Sequence, residues 1–164
     1  MRLGTYFKIQ FEVLFVSFLL TLYGCGAIPI RYGELPQIDD DNMAGKIVVA
    51  RISSFLGVLN VWQVAVDGKD LFGIGSGEYT EFLLSQGQHR ISLRCSQPGV
   101  NLFSHDWGAI HHEETIKFIV APSKTTFFVL RPSLACGKIR LSNETEAKKH
   151  IGRSKFINLE KTVK

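Results

Sequence analysis

The sequence of 164 residues has few of the features that are typical of membrane-spanning or nucleic-acid-binding proteins. Its apolar run over residues 13–23 has about eleven residues, whereas a membrane-spanning helix needs roughly twenty. The 19 lysines and arginines exceed the 15 acidic residues by only four, and they form no basic run interleaved with aromatic residues. The sequence therefore lacks the electrostatic signature of a nucleic-acid-binding protein.

Sequence signatures of catalysis are also missing. The chain has no Gly-x-Ser-x-Gly motif, no phosphate-binding glycine loop ahead of a helix, and no Ser/His/Asp set with a recognisable signature. The glycine-rich residues 73–77 lie between predicted strands, where a turn explains them. We therefore predict neither enzymatic activity nor a cofactor.

The amino-terminal residues have the layout of an export signal. Arg2 and Lys8 precede the apolar run, which is the arrangement of a cleaved signal peptide. The stretch Leu22-Tyr23-Gly24-Cys25 resembles the lipobox of bacterial lipoproteins. The resemblance implies that cleavage leaves Cys25 as an acylated first residue. The alternatives are an uncleaved anchor and an ordinary secretory signal with an incidental cysteine.

Acylation would hold the protein on a membrane. One acyl chain gives only marginal and reversible binding, whereas bacterial lipoproteins typically carry three. Gly26 follows the cysteine in place of the aspartate that retains many lipoproteins at the inner membrane. The sorting rule of that family therefore implies the outer membrane, with the protein facing the periplasm.

The remaining chain divides by composition into a tether, one domain and a tail. Residues 1–24 are the predicted signal peptide, and residues 25–45, which lack periodicity, are predicted to be a lipidated flexible tether. A domain is expected over residues 46–152, a usual size for a single core. Residues 153–164 form a basic tail, which we interpret as a solvated face; the alternative is a surface for anionic phospholipid.

The domain has the two-residue apolar alternation of half-buried strands. Asp67-Gly68 is a strong signal for a type I′ hairpin turn. Asn143 followed by Glu146 resembles a capping box and predicts a short helix over residues 144–152. No helix intervenes between the strands, so the pattern predicts an all-β, antiparallel two-sheet sandwich of about seven strands with a short carboxy-terminal helix.

With Cys25 assigned to lipid, Cys95 and Cys136 remain. In an oxidising periplasm such a pair commonly forms a disulfide, and Cys95 continues the inward positions of its strand. The alternative is a pair of buried free thiols.

Three segments of the domain carry a resemblance to a known family. They are residues 64–69 (Val-Ala-Val-Asp-Gly-Lys), 77–82 (Gly-Glu-Tyr-Thr-Glu-Phe) and 86–89 (Gln-Gly-Gln-His). Their order resembles small bacterial lipoproteins that carry a domain of unknown function and, more distantly, PEGA-type β-sandwich modules. The resemblance implies a sandwich fold and an envelope location, and it assigns no catalytic residue.

A long polar interval, residues 96–113, is predicted to be a loop and is the candidate binding surface. Aromatic groups on a sandwich loop can hold sugar or peptide ligands. The candidate binding residues are Phe103, His105, Trp107 and His111. His105, Asp106, His111 and His112 are ligand types that zinc accepts, but their spacing fits no established site, so we predict no metal.

The sequence thus predicts a lipid-anchored envelope domain that acts by binding. The expected partners are the membrane, through the acyl chains, and either another envelope protein or cell-wall glycan. The alternative hypothesis is a structural or assembly factor that has no ligand of its own.

Overall fold

The computed structural model describes residues 31–38, 40–55, 60–100, 107–133 and 136–159, with the backbone alone at residues 41, 96–100 and 107–111. The predicted signal peptide and Cys25 lie outside these residues. The strands are β1 (Ala44–Arg51), β2 (Trp62–Val66), β3 (Lys69–Ile74), β4 (Glu78–Ser85), β5 (Gly87–Val100), β6 (Trp107–Val120), β7 (Thr125–Pro132), β8 (Gly137–Ser142) and β9 (Lys155–Phe156). The helix α1 (Glu144–Ile151) lies between β8 and β9.

The strands form two sheets that pack against each other. Sheet A has the order β3-β2-β5-β6, and all of its pairs are antiparallel. Sheet B has the order β8-β7-β1-β4-β9, in which β1 pairs with β7 and β4 pairs with β9 in parallel. The predicted all-β sandwich is confirmed, with nine strands within the described residues rather than about seven and with two parallel pairs that the sequence did not indicate.

Side chains that alternate inward on the two sheets form the core. Phe72 of sheet A meets Phe82 of sheet B with ring centroids 5.8 Å apart, and Phe118 meets Phe128 at 4.9 Å. Both pairs are edge-on, an arrangement that contributes about 0.5–1.5 kcal/mol beyond the area buried. These aromatic pairs cross the interface and fix the two sheets relative to each other.

The helix covers the outer face of sheet B. Its predicted cap is confirmed, because the Asn143 side chain accepts a hydrogen bond of 2.8 Å from the backbone N–H of Glu146. Ala147 is the buried residue of the helix. The helix contacts β1 and β7, and Val48 and Val129 of these strands are buried without belonging to the main core cluster. The small side chain lets the helix lie close to the sheet.

The segment of residues 31–38 is part of the fold, so the predicted tether over residues 25–45 was wrong in this part. Arg31 forms an antiparallel bridge with Phe72, and the N–H groups of the next two residues donate to the carbonyl of Leu71. Leu35 packs against the core. We call residues 31–38 the strap. The strap is held to β3 by backbone hydrogen bonds, and so short a segment has no apolar alternation in its sequence. The sequence therefore did not reveal it.

The predicted basic tail also begins within the fold. β9 pairs with the start of β4, and the Lys155 N–H donates to the carbonyl of Gly77. Ile157 and Leu159 are buried in the core. The basic residues around them obscured this short alternation, so the fold extends to residue 159 and not 152.

The sandwich has two ends that differ in structure. One end contains the β2–β3 turn, the β4–β5 turn and residues 121–124, and we call it the turn end. Asp67 and Gly68 have φ angles of 50° and 81°, which confirms the predicted turn geometry. At the opposite end β1 and β3 terminate, while β5 and β6 continue outward together. We call this continuation, residues 96–100 and 107–111, the arm, and we call this end the arm end.

Candidate binding face

The arm replaces most of the predicted loop. Residues 96–113 were predicted to be a loop, but β5 and β6 pair without interruption until Val100 lies opposite Trp107. The prediction was wrong because strand pairing uses backbone groups, which a polar sequence supplies as readily as an apolar one. Trp107 and His111 therefore lie on a strand.

The other predicted binding residues are placed differently. Phe103 and His105 lie outside the described residues, and His112 is exposed on β6 opposite Cys95. Among the residues whose side chains are described, no three His, Cys, Asp or Glu side chains are grouped closely enough to hold a metal ion.

The two remaining cysteines are bonded to each other in the structure. Cys95 lies on β5 of sheet A, and Cys136 immediately precedes β8 of sheet B. Their Cα atoms are 5.7 Å apart and both residues are buried. The bond joins the two sheets at the base of the arm, where Gly137 leaves room for the packed side chains of Trp62 and Leu93.

The outer face of sheet A carries an ionic network centred on Arg94. The guanidinium of Arg94 contacts the carboxylate of Asp70 on one side, and its Nε lies 3.2 Å from Glu113 on the other. To reach Asp70 the side chain extends across β2, next to Ala65, which is fully buried although it lies on the outer face. Close by, the hydroxyls of Ser92 and Thr115 are 2.6 Å apart.

The network changes the ionisation of its members. The hydrogen bond from Arg94 is the main reason that the pKa of Glu113 lies below its usual range. Hydrogen bonding to Glu113 and the negative charge of Asp70 together raise the pKa of Arg94, against partial desolvation. Both groups are therefore charged at neutral pH, and they neutralise each other.

Beside this network lies a groove of about 510 Å³ at the base of the arm. Partial burial, followed by the nearby charge of Asp70, raises the pKa of the Tyr32 phenol, although the residue remains 46 % exposed. The phenol is therefore a neutral hydrogen-bonding group at neutral pH. The described residues that line the groove are Tyr32, Val61, Gln63, Arg94, Cys95, His112 and Glu113. The groove thus combines an aromatic ring with amide, imidazole and ionic groups. Cys95, which also lines it, is bonded to Cys136.

Several residues of this groove were not predicted. Tyr32 belongs to the strap, which the sequence places in a tether, and it reaches the groove by packing over Gly73. No local sequence pattern singled out Gln63 or Arg94 as binding residues. Neighbouring strands pair these two residues directly, and that register is a property of the folded sheet.

In contrast to Arg94, the arginine Arg51 at the arm end is fully buried. Arg51 is 1 % exposed; its Nη1 donates to the carbonyls of Asn60 and Ile74, and its Cζ lies 3.6 Å from the centre of the Trp62 ring. Burial lowers the pKa of Arg51 to about 10, partly opposed by the negative charge of Glu78. Glu78 is itself buried and accepts the N–H of Gly75. The cluster fixes the loops beside the groove.

Within the described residues, no helix combines the length and apolar character that crossing a membrane requires. Comparisons of the chain with protein-family models, with curated proteins and with solved structures gave no match. The resemblance to small bacterial lipoproteins and PEGA-type modules therefore stays a prediction.

Proposed function

We infer that this protein is a lipid-anchored lipoprotein of the bacterial envelope, held at the outer membrane on the periplasmic side through acyl chains on Cys25, and that it acts as a binding module. The Cys95–Cys136 bond supports an exported location, because structural disulfides persist in oxidising compartments and are rare in the cytosol. The export-signal layout of residues 1–25 supports the same location independently.

The groove at the base of the arm supports a role in binding. A concave site with an aromatic ring and a few convergent polar groups suits a sugar or an extended peptide, since the ring provides a stacking surface and the polar groups fix orientation. Tyr32 supplies the ring. Gln63 and His112 supply hydrogen-bonding groups in addition to the charged groups of Arg94 and Glu113. The proposed ligand is cell-wall glycan or a segment of another envelope protein.

Lipidation is tested by metabolic labelling with palmitate. The chain should incorporate label, and a Cys25→Ser variant should not. A Cys25→Ser protein that retains the label would contradict the anchor. Mass measurement of the mature amino terminus gives the same answer without a variant.

Binding is tested by site-specific photocrosslinking in intact cells. A crosslinker at Gln63 or Trp107 should capture a discrete protein or glycan adduct, whereas one at the exposed Lys124 of the turn end should not. A pulldown with isolated cell-wall glycan distinguishes the two ligand classes. Absence of any adduct from Gln63 and Trp107 would favour the alternative of an assembly factor without its own ligand.

A further inference from the structure

The strap enters the domain from the arm end. Arg31 lies opposite Phe72, and the following Gly33 lies beside Asp70 and Leu71, so the described chain runs from the Ile74 side of β3 towards the turn end. Arg31 is therefore the residue of the strap closest to the arm end. Everything that precedes it in the sequence must be connected to the domain through this point.

The covalent distance from Cys25 to Arg31 is short. Six Cα-to-Cα steps separate them, which span at most about 20 Å when fully extended. Arg31 is paired two residues before the end of β3, which uses about 7 Å of that length. An acylated Cys25 can therefore lie no more than about 13 Å beyond the arm end of sheet A.

The arm extends at least as far as this anchor. Its described strand beyond Cys95 has five residues on β5, which correspond to about 16 Å. If the acyl chains of Cys25 are in a bilayer, an upright domain brings the arm to the lipid surface. The connection from Cys25 to Arg31 is too short to hold the arm end away from the membrane.

The arm end also exposes a large apolar side chain. Phe55 follows β1 in the loop that is tied to the β3–β4 turn by hydrogen bonds between Ser54 and Ser76, and it is 92 % exposed. In the sequence it opens an apolar run through residue 59. Amphipathic and aromatic groups of this kind partition into the headgroup region of bilayers.

Exposed cations accompany Phe55 at this end. Lys138 lies near the start of β8. Lys155 lies on β9, beside the start of β4, and Arg153 precedes β9. All three side chains are exposed. Each lysine or arginine close to an anionic membrane surface adds to its attraction. The apolar and cationic groups thus complement a surface of anionic phospholipid.

We propose that the arm end docks on the anionic phospholipid surface of the membrane that anchors the protein. This inference rests on the proposed acylation of Cys25. It orients the sandwich with its turn end away from the bilayer and places the groove beside Tyr32 next to the lipid surface. A ligand of that groove must then be reachable at the membrane.

The orientation is measured with the acylated full chain in vesicles of phosphatidylethanolamine and phosphatidylglycerol that carry a headgroup-attached nitroxide quencher. A fluorophore is attached through Ser53→Cys, an exposed position just after β1 that leaves Phe55 intact, and, as the matched control, through Gln86→Cys in the exposed β4–β5 turn. The new cysteine is selectively reactive, because Cys95 and Cys136 are bonded to each other and Cys25 is acylated under the proposal. Quenching at position 53 should exceed quenching at position 86 several-fold.

Flotation of the same samples separates the two proposals. Protein that floats with the vesicles but shows equal quenching at the two positions would overturn the docking and leave the anchor intact. Protein that does not float would overturn the anchor and, with it, the docking. Strong quenching at both positions would also contradict docking by one end.

The role of charge is tested in the same assay. Combined Lys138→Glu, Arg153→Glu and Lys155→Glu substitutions should reduce the difference in quenching, as should replacement of the anionic lipid by phosphatidylcholine. The matched control reverses three exposed lysines near the turn end, Lys69, Lys117 and Lys124, and should leave the difference unchanged. A difference in quenching that is insensitive to both changes would contradict recognition of anionic headgroups.

Discussion

The arm end and the turn end of the sandwich are stabilised by different chemistry. At the arm end, Arg51 and Glu78 are buried, and Cys95 is bonded to Cys136 beside them. At the turn end, the Asp67 carboxylate lies 2.7 Å from His89 and accepts the backbone N–H of Arg90, but its side chain remains 45 % exposed. Charges interact more strongly where water is excluded, so similar chemical groups have different energetic weight at the two ends.

The comparison indicates where the fold requires precise geometry. The buried guanidinium must have all its partners in place, because an unsatisfied buried charge is strongly destabilising. At the turn end, water can take the place of a lost hydrogen-bond partner of the Asp67 carboxylate, because the Asp67 side chain is 45 % exposed. The groove and the proposed membrane-facing surface both lie at the end with the more demanding interior, which would hold them in a fixed arrangement.

Removal of the buried guanidinium is expected to have the largest effect. Arg51→Ala leaves Glu78 buried without its cationic neighbour and removes the donor to the Asn60 and Ile74 carbonyls. The free energy of unfolding should fall by about 3–5 kcal/mol in urea titration. Combining Arg51→Met with Glu78→Gln should recover part of this loss. A loss near that of an exposed ion pair would remove the contrast between the ends.

The disulfide should have the next largest effect. The bond closes a separation of 41 residues, and the chain-entropy model assigns it up to about 4 kcal/mol. A Cys95→Ala, Cys136→Ala variant should be destabilised to that extent, and reductant should destabilise the native chain but not the variant. Thiol alkylation of unreduced protein should find neither cysteine; two alkylated residues would contradict the bond.

The exposed network on sheet A should contribute less. The Arg94 side chain is 34 % exposed, so Arg94→Ala should cost about 1 kcal/mol or less, from the ion pairs and from lost cover over Ala65. The pKa of Glu113 should rise towards its ordinary value, since its main hydrogen-bond donor is gone. Carboxyl chemical shifts followed by NMR against pH give this pKa directly. An unchanged Glu113 pKa would contradict the network.

The turn end should show the smallest effect and a defined pH dependence. Burial opposes ionisation of Asp67, but hydrogen bonds from His89 and the Arg90 backbone outweigh it and hold the pKa of Asp67 below its ordinary value. The resulting stabilisation is present above the unfolded pKa and is lost as pH falls through the folded one. Asp67→Asn, which retains the turn, should cost about 0.5 kcal/mol or less at neutral pH and nothing well below about pH 4. A difference that grows in acid would contradict the assignment.

Part of this architecture was accessible from local sequence patterns. The two-residue apolar pattern predicted strands for the domain, and the Asp67-Gly68 turn and the Asn143 cap appear where the sequence placed them. The candidate binding residues were less accessible. The interval 96–113 was read as a loop, because a polar hairpin is recognisable by its partner strand and not by its composition.

Sequence alone determined the strands with clear alternation, the tight turn and the helix start, because each depends on residues within a few positions of one another. Tertiary structure decided the strap against β3, the inclusion of Ile157 and Leu159 in the core, the burial of Arg51 and the position of Arg94 between Asp70 and Glu113. These features join residues that are distant in the chain. Their formation depends on sheet register and on the exclusion of water, and neither property belongs to a local stretch of sequence.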